Sequence, residues 1–411
     1  MILLEDTADM NRRSILRRTA ALPVALALAG CSAPGTGTDG TDERTDGRGN
    51  EVPGNGEESA GSVPIPMLDD PPDAVYLPGH RKSMRMLEPI AAGDSMVAPM
   101  LTYPHPFWVV TGTDRELVEP AADRGIHLML VRWDPETGVV LPVDAEPRVT
   151  ITHDGDEVAS RRLWPMLSQE MGVHFGDNLS LREDGTHTVD IELPPLPTRR
   201  TGSLAERFTD GGTATFEFTY DQAFREDVVD GLELLDRERW GDRGALEPMT
   251  GGDGETAGTH SEIPYSALPP ADEYPGTRLV DPNADPATDG PPRSGDAAFV
   301  VTLLEPGSRL ADGEDRYLLV SPRTPYNRVP LPAMSLRADV ERDGDPIVDA
   351  LELPETLDAE YGLHYGASLA SGRRGDSVTI FIDSPPQATR HQGYETAFFE
   401  MEPLDVVVPP A

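Results

Sequence analysis

The sequence predicts an all-β protein made of two tandem immunoglobulin-like β-sandwiches. Short segments rich in β-branched and aromatic residues recur along the chain, and several of them alternate apolar and polar residues. Gly, Pro or Asp residues separate these segments at roughly ten-residue spacing, which is typical of antiparallel sandwiches. The segments are RVTITHD, HTVDIELP and TATFEFTY in the first half, and AAFVVTLL, RYLLVS, SLRADV and SVTIFID in the second half.

Residues 1–31 are predicted to form an export signal that ends at a lipid-anchoring site. The twin-arginine pair Arg12 and Arg13 precedes an apolar run that is too short to remain as a membrane-spanning helix. The motif LAGC, ending at Cys31, resembles a lipobox, in which the cysteine is lipid-modified. Met10 is a candidate start, because the acidic residues before it do not suit a signal. We expect an exported protein on the extracytoplasmic side, held at the membrane by its lipid alone; a buried apolar N-terminal helix is the alternative.

Two segments have a composition that does not support a folded core. Residues 32–65 consist mostly of Gly, Ser, Thr, Asp and Glu and are predicted to be a disordered tether. Residues 246–296 are rich in Pro and Gly and are predicted to be a linker. Two folded blocks remain, at 70–245 and 297–408. Helical periodicity appears only at 224–241.

The charge of the chain excludes some classes of partner. The formal net charge is -38, and Lys82 is the only lysine. This acidic surface suits a halophilic protein, because high salt screens its self-repulsion. It offers no basic track for nucleic acid, and no D-x-D-x-D-G loop for calcium occurs. Cys31 is the only cysteine, so the folded blocks have neither a disulfide nor a thiolate ligand.

The two blocks are similar in sequence. The first contains MGVHFGDNL and the second YGLHYGASL, which share a Gly-x-His-aromatic-Gly frame. The offset between matched positions stays within 189 to 191 residues, as seen for the pairs Pro142 and Pro332, Asp154 and Asp343, His174 and His364, and Pro194 and Pro385. This constant offset predicts a tandem duplication.

Soft and borderline metal ligands collect in the first block. His127 and Met129 are two residues apart, so both side chains leave the same face of a strand. Met166 and Met171 precede His174 in one loop. Imidazole together with thioether is a ligand set that suits copper. The alternative is that these methionines fill the core and that the histidines are structural.

The first block also resembles a known family. The stretch LWPMLSQEMGVHFGDNLSLREDGTHTVDIELPP is similar to the core motif of the periplasmic iron/copper-binding proteins associated with high-affinity ferrous iron transport, which include a spirochaete lipoprotein antigen. The resemblance extends over most of both blocks as two diverged copies. It implies immunoglobulin-like sandwiches, often dimeric, that bind copper or a related divalent ion on Met, His and Glu residues.

The resemblance assigns candidate ligands in the first block. His127 matches the histidine of a His-x-Glu strand, and Met129 stands in the glutamate position. Met166 matches the family's methionine, with Met171 as a rival because the loop is one residue longer. His174 matches the loop histidine.

The second block has a complementary set. It retains His364, and it supplies the family's downstream histidine as His391, where the first block has Arg200. Glu355 stands in the place of the methionine. The resemblance therefore implies a pseudo-dimer within the chain, in which His391 completes a site in the first block; the alternative is that the second block is a copy that binds no metal.

Other histidines carry weaker signals. His80 lies in LPGHRKSMRM, near Met84 and Met86, and His105 in YPHPFW; we expect exposed or turn roles for both, and the alternative is that these sites load metal. His153, His187 and His260 stand alone in turn or linker sequence, and we expect them to be solvated.

We expect an exported, lipid-anchored protein that binds a transition-metal ion, copper more readily than iron, for uptake or handling. A membrane iron permease is the partner that the resemblance implies. An enzyme is not expected, because no G-x-S-x-G, H-E-x-x-H, Walker or Rossmann motif occurs. The alternatives are an extracellular adhesion or partner-binding module without metal, and a hydrolase whose acidic residues have no recognisable motif.

Overall fold

The computed structural model describes residues 65–121, 124–142, 144–249, 263–284 and 290–409. The predicted signal with Cys31, and all but the last residue of the predicted tether, lie outside the described residues. Among the residues that the structure describes, no helix is long and apolar enough to cross a membrane.

The strands of the first block are β1 (His80–Arg81), β2 (Arg85–Met86), β3 (Ile90–Ala92), β4 (Ser95–Thr102), β5 (Phe107–Thr111), β6 (Asp114–Val118), β7 (Gly125–Trp133), β8 (Arg148–His153), β9 (Asp156–Arg162), β10 (Trp164–Ser168), β11 (Gly172–Ser180), β12 (Gly185–Leu193), β13 (Arg199–Thr201), β14 (Gly212–Tyr220) and β15 (Glu233–Leu234). The remaining strands are β16 (Thr277–Arg278), β17 (Arg293–Ser294), β18 (Ala297–Leu304), β19 (Arg316–Arg323), β20 (Ser335–Arg342), β21 (Asp345–Leu353), β22 (Glu355–Asp358), β23 (Gly362–Leu369), β24 (Ser377–Ser384), β25 (Thr389–Arg390) and β26 (Leu404–Val407). The helical elements are α1 (Gln222–Asp230) and two 3-10 turns, Gly202–Leu204 and Arg237–Arg239. Every segment predicted above as a strand lies in a strand, so the all-β prediction is confirmed.

The two blocks have the same strand order in both of their layers. The larger sheet of the first block has β4-β7-β11-β10 at its centre, and the second block has β18-β19-β23-β22. The smaller sheets run β14-β12-β8-β9 and β26-β24-β20-β21. In β12 and β14 every second residue is buried, because successive side chains of a strand point to opposite faces. The buried faces of the two layers form the core between them.

The blocks also exchange one short strand each. β25 of the second block lies parallel to β10 of the first, with Thr389 opposite Met166. β13 of the first block lies parallel to β22 of the second, with Arg199 opposite Thr356. The chain following β25 is thereby carried to the larger sheet of the first block.

Part of the segment predicted as a linker is packed. Leu268, Tyr274 and Leu279 are at most 7% exposed, and β16 and β17 both pair with β18. The linker prediction is therefore wrong for the described parts of 246–296. The Pro/Gly-rich composition concealed these widely spaced apolar residues, which anchor the segment to the core.

The predicted helix is shorter than its periodicity indicated. Asp221 caps α1 by accepting a hydrogen bond from the Phe224 amide at 2.8 Å. The helix ends at Asp230, before Gly231, because glycine is among the least favourable helical residues. The chain then forms β15, which pairs with β1.

Candidate metal centre

Four buried histidines from separate segments meet beside the larger sheet of the first block. His127 lies on β7, His174 on β11, His105 before β5, and His391 directly after β25. Neighbouring ring centroids are 4.1 to 5.6 Å apart, and no ring belongs to a residue more than 3% exposed. Ligand nitrogens of His105, His127 and His391 lie within 4.8 Å of one another.

The recurring glycine frame orients His174. Gly172 begins β11 with φ +69°, a left-handed conformation that favours glycine. The Gly172 carbonyl lies 3.1 Å from His174 Nδ1. Because a carbonyl only accepts, Nδ1 carries the proton, and the lone pair of His174 is on Nε2.

Asn178 fixes the tautomer of His127 in the same way as the Gly172 carbonyl fixes that of His174. Asn178 Nδ2 donates to the His105 carbonyl at 2.9 Å, and Asn178 Oδ1 accepts from the His105 amide at 3.2 Å. Oδ1 is thus the acceptor that lies 2.9 Å from His127 Nδ1. The lone pair of His127 is therefore also on Nε2.

His391 lies between a histidine and the only lysine. Its Nδ1 is 3.2 Å from His105 Nε2 and 3.2 Å from Lys82 Nζ. His105 Nδ1 donates to the Tyr103 carbonyl at 3.1 Å, so His105 Nε2 is an acceptor. His391 Nδ1 accepts when the Lys82 ammonium donates to it; when it instead donates to His105 Nε2, His391 Nε2 has a free lone pair.

Three imidazole nitrogens in this cluster have no hydrogen-bond partner. They are Nε2 of His127, His174 and His391, and all three are buried. An unpaired buried polar atom is costly and rare in native structures. The donor set therefore fits a metal ion, which would bond the lone pairs of His127 and His174 and, with His391 Nδ1 donating to His105, that of His391.

The thioether sulfur of Met166 lies beside these nitrogens. Met166 on β10 lies opposite His174 on β11. A β-carbon built on Gly176 would lie 2.9 Å from Met166 Sδ and 3.0 Å from His127 Nε2. Sulfur and imidazole thus converge over a position without a side chain. Gly172, the first glycine of the frame, permits the left-handed backbone conformation. Gly176, the second glycine, leaves space for the sulfur and the imidazole.

Burial keeps the imidazoles neutral. Desolvation lowers the pKa of His127 to about 3 and that of His174 to about 4. Desolvation, aided by the charge of Lys82, holds the pKa values of His105 and His391 well below the ordinary value. Neutral imidazole is the form that binds metals.

An open pocket of about 430 Å³ leads to the cluster. Its lining includes His80, Lys82, Met84, Met129, Glu170, Met171, His174 and His391. Desolvation lowers the pKa of Lys82 to about 8, although Glu170 and Glu395 act against this shift. Met129 and Met171 are thus placed on the wall of the pocket, beside the unpaired nitrogens.

The second block has no such centre at the corresponding position. The Tyr317 hydroxyl lies 3.4 Å from His364 Nε2, and a β-carbon on Gly366 would lie 2.5 Å from Tyr317 Cε1. The Tyr317 ring therefore covers Gly366 as the His127 ring covers Gly176, and its hydroxyl contacts the Nε2 atom of His364.

Glu355 also lies outside any ligand cluster. Its carboxylate accepts hydrogen bonds from the Tyr365 hydroxyl at 2.8 Å and from the Ala333 amide at 2.6 Å, and burial raises its pKa to about 7. Thr356, not Glu355, lies opposite His364. The strand register therefore corrects the alignment of Glu355 with Met166.

The burial of several histidines differs from the roles expected from the sequence. His105 and His80 are at most 2% exposed, although turn or exposed roles were expected. His187 is 1% exposed and stacks on His153, so it is not solvated; His260 lies outside the described residues. One signal in the sequence pointed to this pocket. Lys82, two residues after His80, is the only lysine of the chain, and it lines the pocket.

Comparisons with known proteins give limited matches. A family model described as a domain of unknown function, DUF7350, matches residues 272–407. No curated protein matches the chain.

Solved structures similar to this chain include copper-binding proteins. A copper-bound variant of FetP from uropathogenic Escherichia coli strain F11 is 19% identical, with a TM-score of 0.28, and the match covers 34% of this chain and 97% of that chain. Copper-reconstituted P19 from Campylobacter jejuni is 14% identical, with a TM-score of 0.26, over 34% of this chain and 96% of that chain.

Proposed function

We propose that this protein binds a transition-metal ion, copper in preference to iron, through His127, Met166, His174 and His391. The observation that carries the proposal is the set of three buried Nε2 atoms without partners. Neutral imidazole and thioether favour copper over the harder Fe(II). Each first-block imidazole is held by a carbonyl or amide oxygen on its other nitrogen, as is usual for metal-binding histidines.

We further propose that the blocks are tandem copies that act as a pseudo-dimer. The matching strand orders and the reciprocal parallel pairing support this. His391 then completes the ligand set of the first block, while the Tyr317 hydroxyl contacts His364 in the second block. The twin-arginine motif and the LAGC sequence support export and a lipid anchor at Cys31. In this setting the protein would bind the ion and hand it on, for example to a membrane permease, without catalytic turnover.

Metal titration of the purified protein tests the proposal. We expect stoichiometric copper binding, weaker binding of Fe(II) under anaerobic conditions, and a loss of copper affinity of about 100-fold or more in His174→Ala, because one of few ligands is removed. His364→Ala is the matched control, since it alters the corresponding frame in the second block and should leave copper affinity unchanged. A folded wild-type protein that binds no copper would refute the proposal and favour a partner-binding module.

A further inference from the structure

A row of methionines crosses three neighbouring strands beside the metal centre. Met86 on β2 lies opposite Met100 on β4, and Met100 lies opposite Met129 on β7. Directly opposed side chains of antiparallel strands are in contact range. Met86 is half-buried, whereas Met100 is 4% and Met129 2% exposed, so the row runs from the surface inwards.

This row borders a second pocket of about 350 Å³. Its lining includes the thioethers of Met86, Met100, Met171 and Met249, together with Glu170. Glu170 and Met171 also line the pocket of His174 and His391, so the two pockets share a wall.

A buried carboxylate oxygen faces this wall without a hydrogen bond. Glu170 is 7% exposed and its Oε1 has no hydrogen-bond partner. The Arg81 Nε atom lies 3.6 Å from this oxygen, which makes an ion pair without a hydrogen bond. Such an oxygen can offset the charge of a cation held by the neutral thioethers beside it.

The fold itself does not require methionine in this row. The corresponding positions of the second block are Arg278, Thr302 and Leu319, which pair in the same way on β16, β18 and β19. Met86, Met100 and Met129 thus occur only in the block that contains the unpaired imidazoles. Met100, Met129 and Met171 also pack with Val131 and Trp133 in an apolar cluster, but packing does not require sulfur, since leucine stands at the position of Met129 in the second block.

We propose that Met86, Met100 and Met171 form a thioether site for a soft monovalent cation, Cu(I) or Ag(I), at the mouth of the imidazole pocket. Thioethers are soft, uncharged ligands that select such ions over harder divalent ones. Met129 continues the row towards His127, whose side chain leaves the same face of β7. The site uses none of the four ligands of the imidazole centre and binds its ion independently of them.

Titration of Ag(I) into the full chain labelled with methyl-13C methionine tests the proposal in chloride-free buffer. We expect the methyl resonances of Met86, Met100 and Met171 to shift and saturate together, while those of Met334 and Met401 in the second block stay in place. Ag(I) affinity should fall about tenfold or more in Met86→Leu/Met100→Leu, because leucine conserves volume but removes the sulfur. Met334→Leu is the matched control.

Two results would overturn the thioether site: shifts confined to Met166, or unchanged Ag(I) affinity in a folded Met86→Leu/Met100→Leu variant. Copper(II) uptake, measured in parallel on wild type and His174→Ala, reports separately on the imidazole centre. Failure of that centre with coupled shifts at Met86, Met100 and Met171 would refute the proposed function and leave the thioether site standing.

Discussion

At the scale of single residues, positions 127 and 317 determine whether the histidine of the glycine frame keeps an unpaired Nε2 atom. His127 places its Nε2 near Gly176 and leaves it unpaired. Tyr317 covers Gly366 and brings its hydroxyl to His364. The same backbone therefore presents unpaired imidazole nitrogens in one block and a phenol–imidazole contact in the other.

The substitution His127→Tyr should convert the first centre into a copy of the second. A phenol over Gly176 would lie next to His174 and occupy the space of the ion, so copper affinity should fall by about 100-fold or more. The thermal midpoint should change by less than about 5 °C, since the second block accommodates tyrosine here. Calorimetric copper titration and thermal unfolding measure the two quantities. Retained copper binding in the folded variant would show that His127 is not a ligand.

At the scale of elements, the turn after β25 positions His391, and Arg390 organises that turn. Arg390 is fully buried, and its guanidinium donates to the carbonyls of Ala388, Ala397 and Pro386 at 2.9, 3.2 and 2.8 Å. Desolvation lowers its pKa to about 9. The planar guanidinium thus ties the segment before β25 to the turn after it.

Arg390→Lys should destabilise this turn and weaken the metal centre through it. An ammonium cannot reach three carbonyls with the geometry of a guanidinium, and a buried cation that loses partners costs about 3 kcal/mol in the free energy of unfolding. We expect that loss in denaturant unfolding, together with a copper affinity lower by roughly tenfold. Arg199→Lys, at an exposed position of the exchanged strand β13, is the control. Equal effects of the two substitutions would contradict a specific role for Arg390.

The sequence predicted some of these elements and contacts but not others. Alternation predicted the strands because burial of one face leaves a local pattern. The frame around His174 was visible for the same reason, since it is contiguous. The pairing of β25 with β10 leaves no local pattern, and neither does the approach of His105, between two prolines, to His391. Their proximity depends on tertiary folding, so the complete cluster could not be read from the sequence.

At the scale of the whole molecule, an acidic surface encloses histidines that are kept neutral in both blocks. The formal charge is -38, yet desolvation lowers the pKa of His364 in the second block to about 4, as it does for the first-block cluster. In the unfolded chain a histidine titrates near its ordinary value of about 6.5. Between these values the unfolded state binds a proton that the folded state does not, so stability decreases as the pH falls.

His364 therefore contributes a definite pH dependence that can be isolated. Its contribution to the free energy of unfolding is fully present above about pH 6.5 and is lost towards pH 4, at about 1.4 kcal/mol per pH unit. Glu355 has a raised pKa of about 7 and acts in the opposite direction, so the comparison should be wild type against His364→Gln, both metal-free. We expect the stability advantage of the wild type to shrink over this range and to be constant above pH 7. Parallel curves from pH 7 to pH 4 would mean that His364 titrates normally in the folded protein.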